Sequence, residues 1–526
     1  MRVLLHTLVA ILLVLPEVWS KKVLVYQIAF GKSHIQFSGT LIDKLVEAGH
    51  TVDQLLFRYN VDVTGTGTKT HRKLYEITNS NSTYHLMDHL AQPFKTTHKI
   101  SWHIMAPNRL LFCETLLKNT QLIEELKSEK YDIMLTQPWD GCNLPLAHVL
   151  GIKSTAVYVA TFSSFYIFED LGLPTPTAYL GDPFYPAPNH RDLTFYERLS
   201  NFWAWAELFL KPDTRDLEDP LFQKYFPGTP AFSTLYKRIS YLFINTNEYT
   251  DMGRPVSNKV KFIGGIHIED SIGEVEGALP QEYEDILSSK GTIIFSFGSL
   301  VQMQNVPQKV QNAFFEAFKE LTDYNFIWKY DNISATANMR APNVFFKTWL
   351  PQKQLLKDPR IRGFISHMGM NSFAELAYAG VPVVMVPLFA DQRFNSAVAQ
   401  RKGLGVRLEK DELTKEAILE ALRQLLENPK YAENSRRLSE ILAAATSKQK
   451  MAKRFVDAVE LAAEFPETAD LLALPSAGFS LLVANSFDVV IFLTSVAVLG
   501  SLSAIFVVYK VVKMVITGKK VKTKVS

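Results

Sequence analysis

The strongest constraint on the fold is an alternation of short apolar runs with helical segments, which begins at once and recurs along the chain. A strand from Lys22 to Tyr26 precedes a helix from about Phe37 to Ala48 and a second strand from Thr51 to Phe57. Further apolar runs span Tyr131 to Thr136 and Ser154 to Val159. Strands covered by helices on both faces of a sheet carry such continuous apolar runs. The pattern predicts a parallel, doubly wound sheet.

The second half of the chain repeats this architecture. The segment 292–299 reads as a buried strand that ends in a turn of small residues. It is followed by strands at Asn325–Lys329, Asn343–Lys347, Arg362–Ser366 and Val381–Val386, and by a helix from Thr414 to Asn428. Two doubly wound domains facing each other form a cleft, and ligands of open α/β sheets lie beyond the carboxyl ends of the strands. A length of 526 residues also favours two or three domains.

We expect an N-terminal domain over residues 21–268, an acidic linker over 269–290 and a C-terminal domain over 291–450. A helical, juxtamembrane segment is expected at 451–488. Residues 174–235, rich in proline and aromatic residues, interrupt the first domain. Their amphipathic stretch from Phe202 to Leu210 has three interpretations: it lines an apolar pocket, lies on a membrane, or packs as an insertion helix.

Both ends of the chain carry membrane-targeting patterns. Residues 1–20 combine Arg2, an apolar run from Leu8 to Leu15 and the small residue Ser20, which predicts a cleaved secretory signal. Near the other end, the 21 residues from Val489 to Tyr509 hold no charge. At about 1.5 Å per residue, a helix of this length spans a hydrocarbon core of about 30 Å. We therefore predict a single transmembrane helix at 489–509.

Lysines without acidic residues follow this helix, so the tail 510–526 is expected in the cytosol and residues 21 to about 488 in the lumen. The terminus from Lys522 to Ser526 resembles the Lys-x-Lys-x-x retrieval signal of endoplasmic reticulum membrane proteins. This predicts a type I protein of the endoplasmic reticulum membrane. In that compartment Asn81 and Asn332 are N-glycosylation sites.

Composition narrows the class of partner. The 56 basic and 53 acidic residues leave a net charge of +3, which argues against nucleic acid as a partner. Two cysteines, Cys113 and Cys142, allow one disulfide at most, and the sequence leaves their pairing open.

Polar residues that packing does not require concentrate between Phe345 and Gln392. His367, Gly369, Asn371 and Ser372 join a strand to a helix, and the free N–H groups and dipole at a helix start favour a diphosphate. Glu375 either forms a capping box with Ser372 or accepts hydrogen bonds from ribose hydroxyls.

Residues at the two ends of this block could bind a nucleobase and a sugar. Trp349 can stack on a nucleobase near Gln352, although tryptophan is more often a core residue. Asp391 and Gln392 follow an apolar strand and present a carboxylate and an amide to sugar hydroxyls, or form an ordinary solvated loop pair.

The block resembles the signature of the UDP-glycosyltransferases, membrane-bound enzymes of the glucuronosyltransferase and glucosyltransferase type. The resemblance covers essentially the whole chain, and its pattern consists of Trp349, Pro351, Gln352, Leu355, Leu356, His367, Gly369, Asn371, Ser372, Glu375, Gly380, Val381, Pro382, Pro387, Asp391 and Gln392. It implies a GT-B fold, with an N-terminal acceptor domain, a C-terminal UDP-sugar domain and a C-terminal transmembrane helix. It also implies catalysis without a metal or cofactor, and the chain carries no Asp-x-Asp motif.

The resemblance further implies a role for each site residue. Trp349 and Gln352 would hold uracil, and Glu375 the ribose. The diphosphate would lie on Ser299, His367, Gly369, Asn371 and Ser372, and the sugar on Asp391 and Gln392. His34, after the first strand, matches the general base that deprotonates an acceptor hydroxyl, which then attacks the anomeric carbon with inversion.

Two positions depart from a simple match. The acidic residue that usually orients the base corresponds to Gln137, so either Asp140 replaces it or catalysis is weakened. Arg254 falls where some glucuronosyltransferases carry an arginine for the sugar carboxylate, although a surface arginine is the commoner explanation.

The function predicted is transfer of a hexose, glucuronate ahead of glucose, from a UDP-sugar to a small lipophilic alcohol or phenol. The alternative is a UDP-sugar-binding modulator of partner transferases with little turnover. Homo- or hetero-oligomers with related transferases fit either hypothesis. An NAD-dependent oxidoreductase is disfavoured because Ala29 to His34 lacks the G-x-G-x-x-G fingerprint.

Overall fold

The computed structural model describes residues 20–82, 93–94, 105–161, 165–182, 193–210, 214–271, 278–288 and 290–522. The predicted signal at 1–20, except its last residue, lies outside these ranges, as do the last four residues of the predicted tail. The described residues form two α/β domains and a long C-terminal helix.

The first domain is built on a parallel sheet of seven described strands. They are β1 (Lys22–Ile28), β2 (Thr51–Phe57), β3 (Lys73–Ile77), β4 (Ile133–Thr136), β5 (Ser154–Val159), β6 (Leu242–Ile244) and β7 (Val260–Phe262). Their order in the sheet is β3-β2-β1-β4-β5-β6-β7, and every pair is parallel. The predicted doubly wound sheet is therefore confirmed.

The second domain contains a parallel sheet of six described strands. They are β8 (Thr292–Ser296), β9 (Asn325–Lys329), β10 (Val344–Lys347), β11 (Ile361–Ser366), β12 (Val383–Met385) and β13 (Gly405–Arg407). Their order is β10-β9-β8-β11-β12-β13. The strand order reverses between β1 and β4 in one sheet and between β8 and β11 in the other. Reversals of this kind open a crevice at the carboxyl edge of a sheet, where ligands bind.

Helices cover both sheets. In the first domain they are α1 (Lys32–Glu47), α2 (Ala106–Lys118), α3 (Thr120–Ser128), α4 (Asn143–Val149), α5 (Phe165–Glu169), α6 (Phe195–Leu210), α7 (Asp219–Tyr225) and α8 (Phe232–Tyr236). The second domain has α9 (Gln281–Glu284), α10 (Gln308–Glu320), α11 (Gln352–Lys357), α12 (Met370–Ala379), α13 (Gln392–Arg401), α14 (Lys415–Glu427) and α15 (Pro429–Lys448). After it come α16 (Met451–Glu464), α17 (Thr468–Leu471), α18 (Leu481–Ala484) and α19 (Phe487–Lys522). Short 3-10 helices lie at Thr214–Glu218, Glu269–Ser271, Met303–Asn305, Ile333–Thr336, Lys410–Glu412 and Pro475–Gly478.

Helix α1 begins five residues earlier than the pattern predicted. The expected start was about Phe37, because the apolar periodicity becomes clear only there. The observed start is Lys32, after the extended Gly31. His34 therefore lies in the first turn of a helix rather than in a loop, and its backbone is held by helical geometry.

Helix α16 returns the chain to the first domain. The Phe455 ring packs edge-on against Phe243 of β6, with ring centroids 4.9 Å apart. Glu269 fixes the start of the helix, because its carboxylate oxygens accept hydrogen bonds from the backbone N–H groups of Met451 (2.8 Å) and Ala452 (2.7 Å). The two domains are thus connected by two separate crossings of the chain.

Helix α19 is 36 residues long, and its segment Phe487–Thr517 is apolar and exposed along its length. Among the described residues it is one helix long and apolar enough to cross a membrane. The predicted span at 489–509 lies inside it. At about 1.5 Å per residue the helix exceeds the hydrocarbon core of about 30 Å.

The cysteine question left open by the sequence is answered by the fold. Cys113 of α2 and Cys142, the residue before α4, form a disulfide with their Cα atoms 5.7 Å apart. Both residues are buried, so the bond ties the loop after β4 to the helix that covers it.

Candidate active site

A cavity of about 720 Å³ lies between the two domains, at the carboxyl ends of both sheets. Residues that follow β1, β4, β5, β8, β11 and β12 line it. All ten residues predicted to bind the UDP-sugar are among them: Ser299, Trp349, Gln352, His367, Gly369, Asn371, Ser372, Glu375, Asp391 and Gln392. His34 lines the opposite wall. The structure therefore brings the predicted donor residues and the predicted base to one cavity.

The His367 imidazole lies between two glycines. A Cβ atom on Gly298 would lie 2.7 Å from the ring, and a Cβ on Gly369 would lie 2.7 Å from its Nε2 atom. Gly298 also has a φ of +80°, a backbone angle that residues other than glycine rarely adopt. Both glycines are thus required for the ring to reach the cavity between β8 and β11.

The same surroundings decide the charge of His367. Burial and the nearby Lys329 ammonium lower the pKa of His367 to about 4. The ring is therefore neutral at physiological pH and can offer a hydrogen bond but no positive charge. Lys329 lines the cavity, and its ammonium lies 2.7 Å from an Asp331 carboxylate oxygen.

Helix α12 points its N-terminus at the cavity. Gly369 occupies the N-cap position, and no side chain of the described residues caps the helix there. Its first N–H groups are consequently available to an anion, as the sequence predicted. Met368, just before it, has a φ of +66°, which is costly for a residue with a Cβ atom and is typical of ligand sites.

The capping-box interpretation of Glu375 is wrong. Ser372 and Glu375 both lie inside α12, two and five residues after its first residue, so neither flanks the helix start. Glu375 instead accepts a hydrogen bond of 2.6 Å from Gln352 Nε2, which is also 3.3 Å from Ser372 Oγ. These three side chains form one polar group in the wall of the cavity, and Glu375 keeps a second oxygen for a ligand.

Trp349 is an exposed residue of this wall. Its side chain is 64% exposed, which contradicts the alternative of an ordinary core tryptophan. The Tyr283 hydroxyl donates a 2.6 Å hydrogen bond to the Trp349 carbonyl, which fixes the backbone of this position. An exposed, anchored indole can offer its face to a planar ligand.

Asp391 and Gln392 are buried, so the alternative of a solvated loop pair is also wrong. The Gln392 side-chain oxygen accepts hydrogen bonds from the N–H groups of Leu388 (2.9 Å) and Phe389 (3.1 Å). The Asp391 carboxylate accepts one of 3.0 Å from Asn395. Ala390, which precedes the pair, has a φ of +51°. The loop is therefore held in a strained, fixed shape beside the cavity.

On the first domain, the His34 ring packs against Phe30 with ring centroids 4.2 Å apart. Its Nδ1 atom is buried and makes no hydrogen bond to the described residues. The ring as a whole is half-buried because one edge faces the cavity. The surrounding protein lowers the pKa of His34 to about 4, so the imidazole is neutral and can accept a proton.

The structure does not bring Asp140 to His34. The Asp140 carboxylate accepts hydrogen bonds from the Tyr26 hydroxyl (2.7 Å) and the Cys142 N–H (3.2 Å). Burial raises its pKa, and the nearby Arg109 charge opposes that rise. Arg109 in turn pairs with Glu218 through two hydrogen bonds of 2.8 and 2.7 Å. Asp140 thus belongs to a buried network beneath the cavity wall.

Gln137 lies at the same sheet edge as His34. Its side-chain oxygen accepts a 3.2 Å hydrogen bond from the Ile28 N–H at the end of β1. Its Nε2 atom is buried and makes no hydrogen bond within the described part of the chain. Where the resemblance implies a carboxylate that orients the base, the structure therefore has the Gln137 amide. Neither its Nε2 nor the His34 Nδ1 makes a described hydrogen bond.

Arg254 is buried rather than on the surface. Its guanidinium lies 4.7 Å from the Phe168 ring and 5.9 Å from the Phe394 ring, with Asp251 at 3.4 Å. It is not among the residues that line the cavity. The structure thus places this cation at the contact between the domains, beside the N-terminal part of α13.

Two site residues were missed by the sequence analysis. Both nitrogens of His267 are buried without a hydrogen-bond partner among the described residues, and its Nε2 lies 3.6 Å from a Glu375 oxygen. Asn245, after β6, donates a 2.9 Å hydrogen bond to the Asn371 side chain. Neither residue belongs to a recognisable motif, because each reaches the site only when the two domains come together.

Comparison with known proteins decides the family. The model of the family described as "UDP-glucoronosyl and UDP-glucosyl transferase" matches residues 21–522. The chain belongs to this family. UDP-glycosyltransferases transfer a sugar from a UDP-sugar.

Individual relatives agree. The UDP-glucuronosyltransferase 3A1 of Bos taurus is 28% identical over 421 residues, which are 76% of this chain and 77% of that protein. A Caenorhabditis elegans relative, ugt-48, is 32% identical over 339 residues, and the match spans 63% of each chain.

The fold of this UDP-glycosyltransferase is GT-B. The crystal structure of Os79 from O. sativa, in complex with U2F and trichothecene, has a TM-score of 0.58 and 17% identity to it. The match covers 84% of this chain and 99% of Os79. The predicted pair of Rossmann-like domains with a C-terminal apolar helix is confirmed, and that helix is the candidate membrane anchor.

Proposed function

We propose that this UDP-glycosyltransferase transfers a hexose, glucuronate in preference to glucose, to a hydroxyl of a small lipophilic acceptor. The observation that carries the proposal is that His34 and all ten donor residues line one cavity. The preference for glucuronate draws support only from the names of relatives, the bovine UDP-glucuronosyltransferase 3A1 and the putative UDP-glucuronosyltransferase ugt-48 among them. Arg254 as a contact of the sugar carboxylate stays a prediction.

In the proposed reaction His34 acts as the general base. Its Nδ1 atom is buried, so Nε2 is the nitrogen that can receive the proton of the acceptor hydroxyl. The acceptor oxygen forms a bond to the anomeric carbon while the bond from that carbon to the UDP oxygen breaks. Attack on the face opposite UDP inverts the configuration.

The leaving UDP carries the developing negative charge. In the proposal the free N–H groups of α12, the neutral His367 and the Ser299 hydroxyl stabilise its diphosphate, and Lys329 adds a positive charge; the support is that these residues line the cavity. In the proposal, no metal ion is required. Trp349 stacks on the uracil, Glu375 accepts the ribose hydroxyls, and Asp391 and Gln392 hold the sugar.

We place the reaction in the lumen of the endoplasmic reticulum, with the chain anchored by α19 and its lysine-rich tail in the cytosol. The exposure of Asn81 and Asn332 supports their use as glycosylation sites there. A shift in mass after glycosidase treatment of the expressed chain is the expected result.

The decisive experiment offers membranes that contain the chain a panel of UDP-sugars with a broad phenolic acceptor. Product mass identifies the donor sugar, and UDP release gives the rate. His34→Ala is expected to lower acceptor-dependent UDP release by about 10²–10⁴-fold. His148→Ala is the matched control, because this histidine is exposed and lies outside the cavity. Full activity of His34→Ala would reject the base assignment.

One observation favours the second candidate, a UDP-sugar-binding modulator with little turnover. Within the described residues, no carboxylate is hydrogen-bonded to His34. The Asp140 carboxylate accepts its hydrogen bonds from Tyr26 and Cys142 instead. Both candidates predict that UDP stabilises the folded chain by about 2.7 kcal/mol at a hundredfold excess over Kd. The melting temperature should rise accordingly. Only the first predicts product, so stabilisation by UDP without product from any donor would favour the modulator.

A further inference from the structure

Helix α6 carries an exposed apolar stripe. The exposed fractions of its side chains are 64% for Phe195, 79% for Tyr196, 49% for Leu199, 42% for Phe202 and 63% for Trp203. Large aromatic residues are normally buried, and a contiguous exposed patch of them marks an interaction surface.

The spacing places these residues on one face of the helix. Positions 195, 199, 202 and 203 follow the i, i+4, i+7, i+8 pattern, and at about 100° per residue the five side chains span about a third of the circumference. The opposite face is the packed one, since Asn201 and Trp205 are buried. The helix therefore packs against the protein with one face and exposes a second, apolar face.

The buried face of α6 touches the start of the membrane helix. The Trp205 ring meets Phe487, the first residue of α19, with ring centroids 6.3 Å apart. The Trp205 indole N–H also donates a 3.0 Å hydrogen bond to Glu169 of α5. Just before α19, Ser476 donates a 2.6 Å hydrogen bond to the Gly172 carbonyl. The first domain thus holds α6 against the point where the chain leaves for the membrane.

This contact fixes how far the stripe is from the lipid. The uncharged run of α19 begins at Val489, two residues after Phe487. Trp203 is two residues from Trp205 and Phe195 is ten, which correspond to about 3 Å and about 15 Å along the helix axis. Every residue of the stripe therefore lies within a few helical turns of the entry of the span into the bilayer.

The composition of the stripe suits the same boundary. Tryptophan and tyrosine are enriched where a membrane meets water, because their rings combine an apolar body with a polar group. The segment before α19 is exposed and apolar as well, since Phe479, Leu482 and Val483 are 52%, 52% and 46% exposed.

We propose that the α6 stripe lies in the headgroup and acyl boundary of the bilayer that α19 spans, as a second, monotopic contact of the first domain. The proposal rests on α19 spanning a membrane and not on the transferase reaction. Its occupant is lipid rather than a second protein, because the Phe202 ring of the stripe lies 5.3 Å from the Trp205 ring, which contacts the first residue of the span. Among the three interpretations of this stretch in the sequence, it selects the membrane surface.

The test places a fluorescent label at single introduced cysteines of the full chain in phospholipid vesicles. Both native cysteines form the disulfide, so no native thiol of the described chain competes for the label. Trp203→Cys and Leu199→Cys probe the stripe. Phe492→Cys reports the span, and Val61→Cys, at a position 71% exposed outside α6, reports an ordinary surface.

Nitroxide-bearing lipids are expected to quench the labels at positions 203 and 199 from a depth of about 5–10 Å, shallower than the label at 492. Aqueous iodide is expected to quench the label at 61 and to spare the other three. A label at 203 that responds like the label at 61 would overturn the proposal. So would protection from both quenchers together with crosslinking between chains, which would identify a second copy as the occupant. Iodide quenching at 492 would remove the membrane anchor on which the proposal rests.

Discussion

Replacing Gln137 by aspartate is expected to raise the basicity of His34 and to change the pH profile of the enzyme. The substitution introduces a carboxylate where the resemblance implies an acidic residue, at the end of β1, the strand that leads into the helix of His34; the buried His34 Nδ1 makes no described hydrogen bond. An opposite charge within about 4–6 Å raises a histidine pKa by about 1–3 units. Since the pKa of His34 is lowered to about 4, the variant should titrate at about pH 5–7.

Each unit of this rise corresponds to about 1.4 kcal/mol of stabilisation of the imidazolium. If the proton is fully transferred in the transition state, kcat/KM increases about tenfold per unit, and partial transfer gives less. We expect a gain of about tenfold at pH 8. The variant also loses the hydrogen bond to the Ile28 N–H, at a stability cost of about 1–3 kcal/mol.

The assay measures kcat/KM for one UDP-sugar and one phenol between about pH 4.5 and 8.5. Below its pKa the imidazolium cannot accept a proton, so the rate of each form falls as the pH drops through that value. The native enzyme should show no loss from His34 above about pH 5, whereas the variant should lose activity between about pH 7 and 5.

Gln137→Asn is the matched control, because it shortens the same side chain without adding a charge. The reasoning is refuted if the aspartate variant has the same rate and pH profile as the asparagine variant. That result would mean that position 137 is not electrostatically coupled to His34.

Two further predictions concern donor binding and stability. Gly298→Ala should abolish UDP binding that is detectable by calorimetry, because the new Cβ would lie 2.7 Å from the His367 ring and the φ of this residue is +80°. Gly478→Ala is the control and should bind UDP normally, because a Cβ at that position would meet open space. Normal binding by the first variant would show that the ring can move aside. Glu218→Ala should lower the stability by about 3–5 kcal/mol, since it removes the carboxylate that pairs with the buried Arg109 guanidinium, and a thermal melt measures the loss. Arg109→Met combined with Glu218→Leu should recover most of that loss; a double variant as unstable as the single one would contradict the charge argument.

The architecture of both sheets could be predicted because it depends on local patterns. Buried parallel strands are continuous apolar runs, and the predicted bounds of Thr51–Phe57, Ser154–Val159 and Asn325–Lys329 match the structure at every residue. The donor residues were found for the same reason, since most of them lie in one block of the sequence around two strand ends.

The remaining features depend on contacts between distant segments. Burial of Arg254 against Phe394 and the approach of His267 to Glu375 arise only when the domains meet. The engagement of Asp140 by Tyr26 joins two strands that lie more than a hundred residues apart. No local pattern encodes these distances, so the sequence could not show that Asp140 is hydrogen-bonded to Tyr26 and Cys142.

The return of α16 to the first domain has a mechanical consequence. The chain crosses between the domains twice, once before β8 and once between α15 and α16. These two connections define an axis, so we expect the second domain to rotate about that axis rather than in other directions. The segment that leads to the candidate membrane helix contacts the first domain through Ser476 and Phe487, so we expect that domain to move less than the second one. If the cleft opens to release UDP, we expect the second domain to move while the first domain, which holds the start of the candidate anchor, stays in place.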